Sequence, residues 1–359
     1  MESENSIPNV YICAMGMITA VGDSAPMTAA SVRAGINRFR EIDITTKLGA
    51  PMKLALLPDD ALPKAHKRLA RAKRLNIAQT RMLCMAGAAL KETLDMSGIE
   101  NPPPLFLAVS EDLPTVSGRV ADNFLDDLFL QSGGDFDNEH SRLFRTGRAG
   151  GLIALEAAVV ALTQGQHECV LAGGVDSYDN YTVLDALDQE DRLLSDGVMD
   201  GFVPGEGAGI LLLATEQAVE AYGLSPLGVI GLPGITVESG HRYSEQPYRG
   251  DGLAEAFTHA FENCPEHIIQ TIFASLNGEN FGAKEYGVAV LRNKEHLAAD
   301  FRLEHPADCF GDIGAAFAPV LTGIACIGMN KGYIEGPVLV YCSSDGEWRG
   351  AFCVDTYAT

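Results

Sequence analysis

Short apolar runs alternate along the chain with stretches of helical periodicity. This alternation is typical of crossover units around a largely parallel, buried sheet. It predicts strands at NVYICAMGMIT, PLFLAVSED, ECVLAGGVDS, GILLLAT, LGVIGLPGIT, TIFASLNG and GPVLVYCSSD. It predicts helices at APMTAASVRAG, KAHKRLARAKR with its continuation LNIAQTRMLCMAGAALKETL, GLIALEAAVVALTQ, GLAEAFTHAFENC and GAAFAPVLTGIACIG. The pattern therefore predicts an α/β protein.

The order of these segments repeats. VYICAMGMIT is echoed by GVIGLPGIT, with Ile12 and Gly16 matching Ile230 and Gly234, and PLFLAVSED is echoed by QTIFASLNG. GGLIALEAAVVAL and CVLAGGVDS are echoed by GDIGAAFAPVLTGI and PVLVYCSSD. Four matches in one order indicate two duplicated halves, which we place at 1–220 and 221–359.

Charge and composition exclude several classes of function. The 359-residue chain carries a formal net charge of −22, which argues against nucleic acid as a partner because phosphate contacts need a basic surface. The acidic start and the lack of a membrane-length apolar run predict a cytoplasmic protein without a membrane span. The 8 cysteines are scattered singly, so we expect reduced, buried thiols and neither a metal site nor a cofactor.

One segment departs from this acidic balance. KAHKRLARAKR, predicted as three turns of helix, contains Lys64, Lys67, Arg68, Arg71, Lys73 and Arg74. The favoured interpretation is a solvated helix face that pairs with the surplus of acidic side chains. The alternative is a docking patch for an acidic protein partner.

Several motifs resemble those of the β-ketoacyl synthases of the thiolase-like superfamily. MGMITAVGDS is similar to the opening segment of that family, ECVLAGGVDS to its strand ending in A-G-G-x-E, and MDGFVPGEGAGILLL to its D-G-F-V-x-G-E-G-A-G motif. The last motif contains Gly205, Glu206, Gly207 and Gly209, which we interpret as structural because the glycines permit a tight turn and close strand approach. The resemblance implies two halves stacked as a five-layered α-β-α-β-α sandwich.

The resemblance also implies a site with a cysteine nucleophile at a helix start and two histidines. Aligned position by position, the nucleophile falls on Arg148, the first histidine on Asn277 and the second on Gly311. The family's closing glycine-rich loop becomes SSDGEWRG from Ser343. Arginine, asparagine and glycine cannot supply a thiolate or move a proton at neutral pH, so condensation chemistry is predicted to be lost.

Other polar residues near these positions are candidate replacements for the missing catalytic groups. Cys309 is expected to be a buried apolar thiol, His241 and His305 to be surface or capping residues, and Glu279 either a carboxylate base or part of a polar loop. Ser343 and Ser344 lie in the altered loop.

Arg148 lies where a glycine-rich turn leads into a small-residue amphipathic helix. Its positive charge opposes the dipole of the helix start and needs a compensating carboxylate, for which Asp312 and Glu279 are the candidates. We favour a pocket filled by an internal ion pair. The alternative is an open tunnel in which Arg148 binds an anionic ligand.

Three classes of function remain. The first is a non-catalytic accessory protein that acts through protein contacts, either as a partner of an active ketosynthase, similar to a chain length factor, or as an adaptor or chaperone for another protein such as a secreted effector. The second is an acyl-chain or small-ligand binding protein. The third is an acyltransferase or thioester hydrolase with relocated catalytic residues. The resemblance further implies a homodimer, or a heterodimer with a ketosynthase-like chain, and acyl carrier protein as an acidic partner.

Overall fold

A computed structural model describes residues 9–264 and 268–357 of the chain. The strands are β1 Val10–Thr19, β2 Arg40–Thr45, β3 Pro51–Leu54, β4 Pro104–Val109, β5 Asp137–Arg145, β6 Cys169–Ser177, β7 Glu206–Thr215, β8 Gly228–Ile230, β9 Gly234–Val237, β10 Ile269–Ala274, β11 Leu297–Glu304, β12 Val338–Ser343 and β13 Trp348–Asp355. The helices are α1 Ala25–Arg33, α2 Ile77–Ser97, α3 Phe124–Ser132, α4 Gly150–Thr163, α5 Tyr181–Gln189, α6 Glu216–Tyr222, α7 Asp251–Glu262, α8 Asn280–Arg292, α9 Ala307–Phe310 and α10 Phe317–Asn330.

The main sheet repeats one strand order in two halves. In the first half the order is β5-β4-β6-β7-β1, and in the second it is β11-β10-β12-β13-β8, with β9 also pairing with β13. Strand β8 forms hydrogen bonds with both β1 and β13, so the two halves join in a single 11-stranded sheet. The predicted boundary after residue 220 falls within α6 and stays a prediction.

Five layers follow from the way the helices cover the two halves of the sheet. Helices α2 and α3 cover the outer face of the first half, and α7 and α8 cover the outer face of the second. Helices α4 and α10 lie between the halves and contact strands of both. The predicted α-β-α-β-α sandwich is therefore confirmed.

Helix α4 is apolar on nearly every side, whereas an amphipathic helix was expected. Nine of its residues are buried: Gly150, Gly151, Leu152, Ala154, Leu155, Ala158, Val159, Ala161 and Leu162. A helix covered by protein on all sides has no need of a polar face. Small residues along it allow the two halves of the sheet to approach closely.

The sheet is less parallel than the sequence suggested. Strands β4, β5 and β6 are mutually parallel, as are β10, β11 and β12, but β7 runs antiparallel to both β6 and β1. The reason for the error is burial. Strands β1 and β7 are covered on both faces, so they have the continuous apolar runs that usually indicate parallel strands.

The prediction of helix for residues 64–74 is wrong. This segment consists of turns and irregular backbone, and α2 begins only at Ile77, where the Asn76 side chain accepts a hydrogen bond from the Gln79 amide. A helix here would place like charges at spacings of three and four residues without intervening acids, which destabilises it. Arg74 forms an ion pair with Asp127. The other basic side chains of the segment pair with no carboxylate among the described residues, so the expected pairing with acids is wrong for Lys64, Lys67, Arg68, Arg71 and Lys73.

The glycine-rich motif at the start of β7 has a structural role. Glu206 is fully buried and accepts hydrogen bonds from the Arg81 guanidinium, the Leu57 amide and the Ser177 hydroxyl. A Cβ atom at Gly205 would lie 2.3 Å from the Phe310 carbonyl oxygen, and one at Gly209 would lie 2.9 Å from the Val320 side chain. A Cβ atom at Gly207 would lie 3.0 Å from the Ile18 carbonyl oxygen. The motif therefore holds β7 against its neighbours.

All 8 cysteine side chains are buried and none is disulfide-bonded, as predicted. Among the described residues, no helix is long and apolar enough to cross a membrane. The acidic start of the chain lies largely outside the described residues.

We predict that Gly174→Ala destabilises the protein by about 3 kcal/mol, the upper end of the usual cost of overpacking. A Cβ atom at Gly174 would lie 2.0 Å from the Ala315 carbonyl oxygen, which belongs to the turn before α10. Urea unfolding measures the change. Gly287→Ala is the control, because its Cβ would meet no atom within 4 Å and an added helical alanine stabilises by roughly 1 kcal/mol. Equal effects of the two substitutions would contradict the close approach of the layers.

Candidate functional site

The candidate site lies where parallel strands of both halves end. Glu111 follows β4, Asn277 and Glu279 follow β10, and Asp345 follows β12. Ligand sites of open α/β sheets form at the carboxyl ends of strands. The short 3-10 turn Gly147–Ala149, which leads into α4, brings Arg148 to the same place.

Arg148 is buried and fixed by two carboxylates from the second half. Its Nε and Nη2 atoms each lie 2.6 Å from Asp312 Oδ2, and its Nη1 donates to Asp345 Oδ1 at 2.8 Å. Burial lowers the pKa of Arg148, but the charges of Asp312 and Asp345 outweigh burial and raise that pKa well above its usual range. Arg148 is therefore a permanent cation in a closed ion-pair geometry.

Two further arginines complete the network. The Arg192 guanidinium donates from Nε and Nη2 to the two carboxylate oxygens of Glu279, both at 2.9 Å, and from Nη1 to Asp345 Oδ2 at 2.8 Å. Arg242 Nη2 lies 2.9 Å from Glu279 Oε1, and its Nε lies 3.5 Å from Asp345 Oδ1. Of the two carboxylates nominated for Arg148, Asp312 pairs with it and Glu279 pairs with Arg192 and Arg242.

We call these six side chains the buried charge network: Arg148, Arg192, Arg242, Glu279, Asp312 and Asp345. Three positive and three negative groups balance. Burial raises the pKa of Asp345, but the positive charges of Arg148, Arg192 and Arg242 lower it by more than burial raises it. The pKa of Asp345 is therefore held well below its usual range. The centroid of the Phe202 ring lies 5.7 Å from Arg148 Cζ and 5.3 Å from Arg192 Cζ, within cation–π range of both.

Asn277 joins this network through its side-chain amide. Its Nδ2 donates to Asp312 Oδ2 at 2.8 Å and to Glu279 Oε2 at 3.0 Å. Tyr178 approaches the other Asp312 oxygen at 3.4 Å, and the Gly314 amide donates to that oxygen at 2.8 Å. Asp312 is thereby saturated with donors.

The structure separates the remaining sequence candidates. Gly311 adopts a φ of 73°, and a Cβ there would lie 2.6 Å from the Val203 carbonyl oxygen, so the position is closed to other residues. Cys309 packs in the hydrophobic core, where burial raises the pKa of its thiol to about 11. His305 lies at the surface beside Asp308, and His241 is half-buried.

Both serines of the altered loop line the site. The Ser344 hydroxyl accepts a hydrogen bond from the Ala149 amide at 2.9 Å and donates to the Thr146 carbonyl oxygen. It is thus occupied in fixing the turn before α4. The Ser343 hydroxyl is buried and lies beside Glu285, whose carboxylate is paired with Arg349.

Glu111 supports the loop that carries Asp345. Its two carboxylate oxygens accept hydrogen bonds from the Asp345 and Gly346 amides at 3.0 and 3.2 Å. Burial and the neighbouring Asp345 charge raise the pKa of Glu111 to about 7. Gly147 makes room for this side chain, because a Cβ there would lie 2.3 Å from Glu111 Oε1.

Little open space remains directly beside Arg148, whereas a cleft of about 530 Å³ adjoins the other side of the network, where Arg192, Arg242 and Glu279 line it. The cavity beside Arg148 has a volume of about 30 Å³ and is lined by residues that include Asn277, Glu279, Ser343 and Asp345. One water molecule needs roughly 10–15 Å³ of such cavity volume, so the cavity has room for about two water molecules. No cysteine or histidine belongs to its described lining.

Sequence reasoning missed Glu111, Arg192, Arg242 and Asp345. A usable signal existed for two of them, because Glu111 and Asp345 lie two residues beyond the ends of β4 and β12, strands that the apolar pattern predicts. Arg192 and Arg242 lie in loops after α5 and β9, where no local pattern distinguishes them from surface residues. Only the packing of the two halves brings them together.

Comparison with known proteins agrees with this fold. The family model described as "Beta-ketoacyl synthase, N-terminal domain" matches residues 141–218. No curated protein sequence matches the chain.

Solved structures match over almost the whole chain. The oxazolomycin ketosynthase domain of Streptomyces albus JA3453 has a TM-score of 0.80 at 14% identity, covering 98% of this chain and 75% of that one. The ishigamide ketosynthase/chain length factor has a TM-score of 0.78 at 16% identity, covering 98% and 100%. A type II ketosynthase in complex with its acyl-carrier protein has a TM-score of 0.75 at 13% identity, with the same coverage. The chain therefore has the thiolase-like ketosynthase fold, and the family model matches one part of it, residues 141–218.

We predict that Arg148→Met destabilises the protein by about 3–5 kcal/mol, because it leaves Asp312 and Asp345 with uncompensated buried charge. Urea unfolding at pH 7 measures this. The control is Arg145→Met, since Arg145 forms an exposed ion pair with Asp122 that contributes about 0–1 kcal/mol. If both variants lose the same small amount, the network is not a structural element.

Glu111 should make stability depend on pH. Because its pKa rises from 4.5 to about 7 on folding, the folded protein binds this proton more tightly than the unfolded chain does. The stabilisation is present at acidic pH and is lost as pH rises towards about 7. Glu111→Gln should therefore gain stability relative to wild type between pH 5 and 8 in denaturant titrations, whereas the exposed Glu100→Gln should not. A wild-type to Glu111→Gln difference that is constant over this range would refute the shift.

Proposed function

We propose that this protein is a non-catalytic ketosynthase-like protein that acts through protein–protein contacts, in the manner of a chain length factor. The observation that carries the proposal is the state of Arg148. The resemblance assigns this position to the nucleophile, and here a buried guanidinium is held by Asp312 at 2.6 Å and Asp345 at 2.8 Å. A side chain in that position can neither attack a thioester nor leave room for one.

The other positions assigned to catalytic side chains support the same proposal. Asn277 donates its amide to Asp312 and Glu279, and an amide does not exchange a proton at neutral pH. Gly311 has no side chain, and the surrounding backbone leaves no space for one. Three assigned positions thus lack the groups that decarboxylation and condensation require.

The small cavity weighs against acyl-chain binding directly beside Arg148, the position that the resemblance assigns to the nucleophile. A volume of about 30 Å³ is far below the roughly 300 Å³ that small-molecule sites usually need. The alternative in which Arg148 binds an anionic ligand meets the same lack of space. In addition, Asp312 and Asp345 already neutralise the charge of Arg148.

A relocated enzyme activity also finds little support. Ser344 is engaged by the Ala149 amide and the Thr146 carbonyl oxygen, and Cys309 lies in the core. Ser343 has Glu285 as its neighbour, but Arg349 holds that carboxylate. A nucleophile with a free base is therefore missing from the described lining of the cavity.

Two surfaces are available for partners. Strand β5 is the outer edge of the first half-sheet and bears mainly polar residues, so a second chain could extend the sheet there, either another copy or a ketosynthase-like chain. The basic segment 64–74 is the second surface. Lys64, Lys67, Arg68 and Arg71 are exposed and face no carboxylate of the described chain, which favours an acidic protein such as acyl carrier protein.

We expect the full-length protein, isolated from extracts of its own cells and examined by native mass spectrometry, to carry a ketosynthase or an acyl carrier protein. Reversing the charges in a K64E/K67E/R68E/R71E variant should abolish binding of an acidic carrier and leave a sheet-edge partner bound. The attraction is electrostatic, so binding of the carrier should also weaken steeply with salt.

A matched variant, R38E/R40E/K284E/K294E, changes the net charge equally at exposed positions elsewhere and should bind as wild type does. Recovery of an unrelated protein would favour the adaptor or chaperone alternative within the same class. Decarboxylation of a malonyl thioester by the purified protein would refute the non-catalytic proposal.

A further inference from the structure

Two of the buried cysteines lie together in the second half, away from the buried charge network. Cys264 follows the end of α7 and Cys353 lies in β13, and both side chains belong to the apolar cluster that packs α7 against the half-sheet. The Cys353 sulfur lies 3.8 Å from the Ala260 carbonyl oxygen, in the last turn of α7. The Cys264 amide donates to the Phe261 carbonyl oxygen at 2.9 Å, which holds Cys264 in a further turn at the same end of the helix.

Backbone packing brings the two chain segments together at Gly231. The Gly231 amide donates to the Cys353 carbonyl oxygen at 3.1 Å, and a Cβ atom at Gly231 would lie 3.1 Å from the Asn263 carbonyl oxygen. The residue before Cys264 and the strand of Cys353 thus both contact this glycine. Such close approach is what a disulfide needs, because its two Cα atoms usually lie about 4.4–6.8 Å apart.

Cys264 differs from the other cysteines in its exposure and in its acidity. It is 9% exposed, the largest exposed fraction among the 8 cysteines. A hydrogen bond with the Cys353 thiol lowers the pKa of Cys264 by more than burial and the Asp355 charge raise it. The same hydrogen bond and burial raise the pKa of Cys353 well above its usual range. Because the thiolate is the reactive form of cysteine, Cys264 is the member of the pair that reacts first.

Cys13 and Cys169 provide a contrast within the same chain. Both belong to the apolar cluster on the outer face of the first half, but Cys13 lies in β1 and Cys169 in β6, with β7 between these strands. Two strand spacings amount to about 9.5 Å, which exceeds the reach of a disulfide. Burial raises the pKa of each thiol to about 12. This pair has neither the geometry nor the acidity of the first.

We propose that Cys264 and Cys353 are a redox-active pair that forms a disulfide when the folded protein meets hydrogen peroxide. The Cys264 thiolate attacks one peroxide oxygen, the O–O bond breaks, and a sulfenic acid and water result. The Cys353 sulfur then attacks the sulfenic sulfur, the S–S bond forms, and the hydroxyl group leaves with the Cys353 proton as a second water. The two thiols lose two electrons in total, which reduce the peroxide.

The disulfide would fasten α7 to β13, the strand that pairs with β8 where the two halves join. The proposal does not depend on the proposed function, since it uses none of the residues of the buried charge network.

Peptide mapping of the full-length protein tests the proposal. The folded protein is treated with a small excess of hydrogen peroxide, and the remaining thiols are then alkylated in urea. We expect two of the 8 thiols to be protected from alkylation, a crosslinked peptide that joins Cys264 to Cys353, and loss of that peptide with dithiothreitol. Cys13 and Cys169 should stay free in the same sample.

Serine variants separate the two roles. Cys264→Ser should leave Cys353 unoxidised, whereas Cys353→Ser should leave a sulfenic acid at Cys264 that dimedone traps. Cys169→Ser is the matched control, a buried cysteine outside the pair, and should form the crosslink as wild type does.

The mapping of the wild-type protein decides the matter even if a variant fails to fold. The proposal is overturned if the crosslink forms only after unfolding in urea, or if Cys264 proceeds to sulfinic acid while Cys353 stays free. Protection of other cysteines in place of this pair, or no oxidation of the folded protein, would overturn it equally.

Discussion

Burying an arginine between two halves of a protein requires that its charge be neutralised, and the centre of this structure is arranged around that requirement. Arg148 and Arg192 come from the first half, whereas Asp312, Asp345 and Glu279 come from the second. Every guanidinium in the network is matched by a carboxylate, so the buried groups carry no net charge together. Each member depends on the others, because removing one side chain leaves another buried charge unpaired. The halves are therefore held in one relative position by electrostatics as well as by the apolar layer of α4 and α10.

Residues around the network help to hold its charged side chains in place. Glu111 holds the loop of Asp345 through two backbone amides, and Gly147 leaves space for Glu111. A second buried pair, Arg81 with Glu206, fastens α2 to β7 in a comparable way. Ketosynthase-like architecture is thus retained while the position where the resemblance expects chemistry is occupied by ion pairs. This is the physical basis of the proposed non-catalytic role, in which surfaces rather than a pocket would act.

The apolar pattern was enough to find most central elements. Strands β1, β4, β6, β7, β10 and β12 and helices α4, α7 and α10 lie close to where the sequence predicted them, because buried elements consist of continuous apolar runs. The edge strands β5 and β11 were missed since their exposed polar residues resemble a loop. The basic segment 64–74 was mistaken for a helix because the spacing of its residues along the chain does not take account of repulsion between like charges.

The sequence by itself determined where most central elements lie, the repeat of their order and, through the resemblance, the alignment of Arg148 with the family's nucleophile position. These depend on local residue identity and on resemblance, both of which a single chain carries. The tertiary structure alone decided which carboxylates neutralise Arg148. Asp345 is 197 residues away along the chain and Asp312 is 164 away, so only the packing of the two halves brings them within hydrogen-bonding distance. It also decided that the space around Arg148 is closed, because cavity volume is set by how all the surrounding side chains pack.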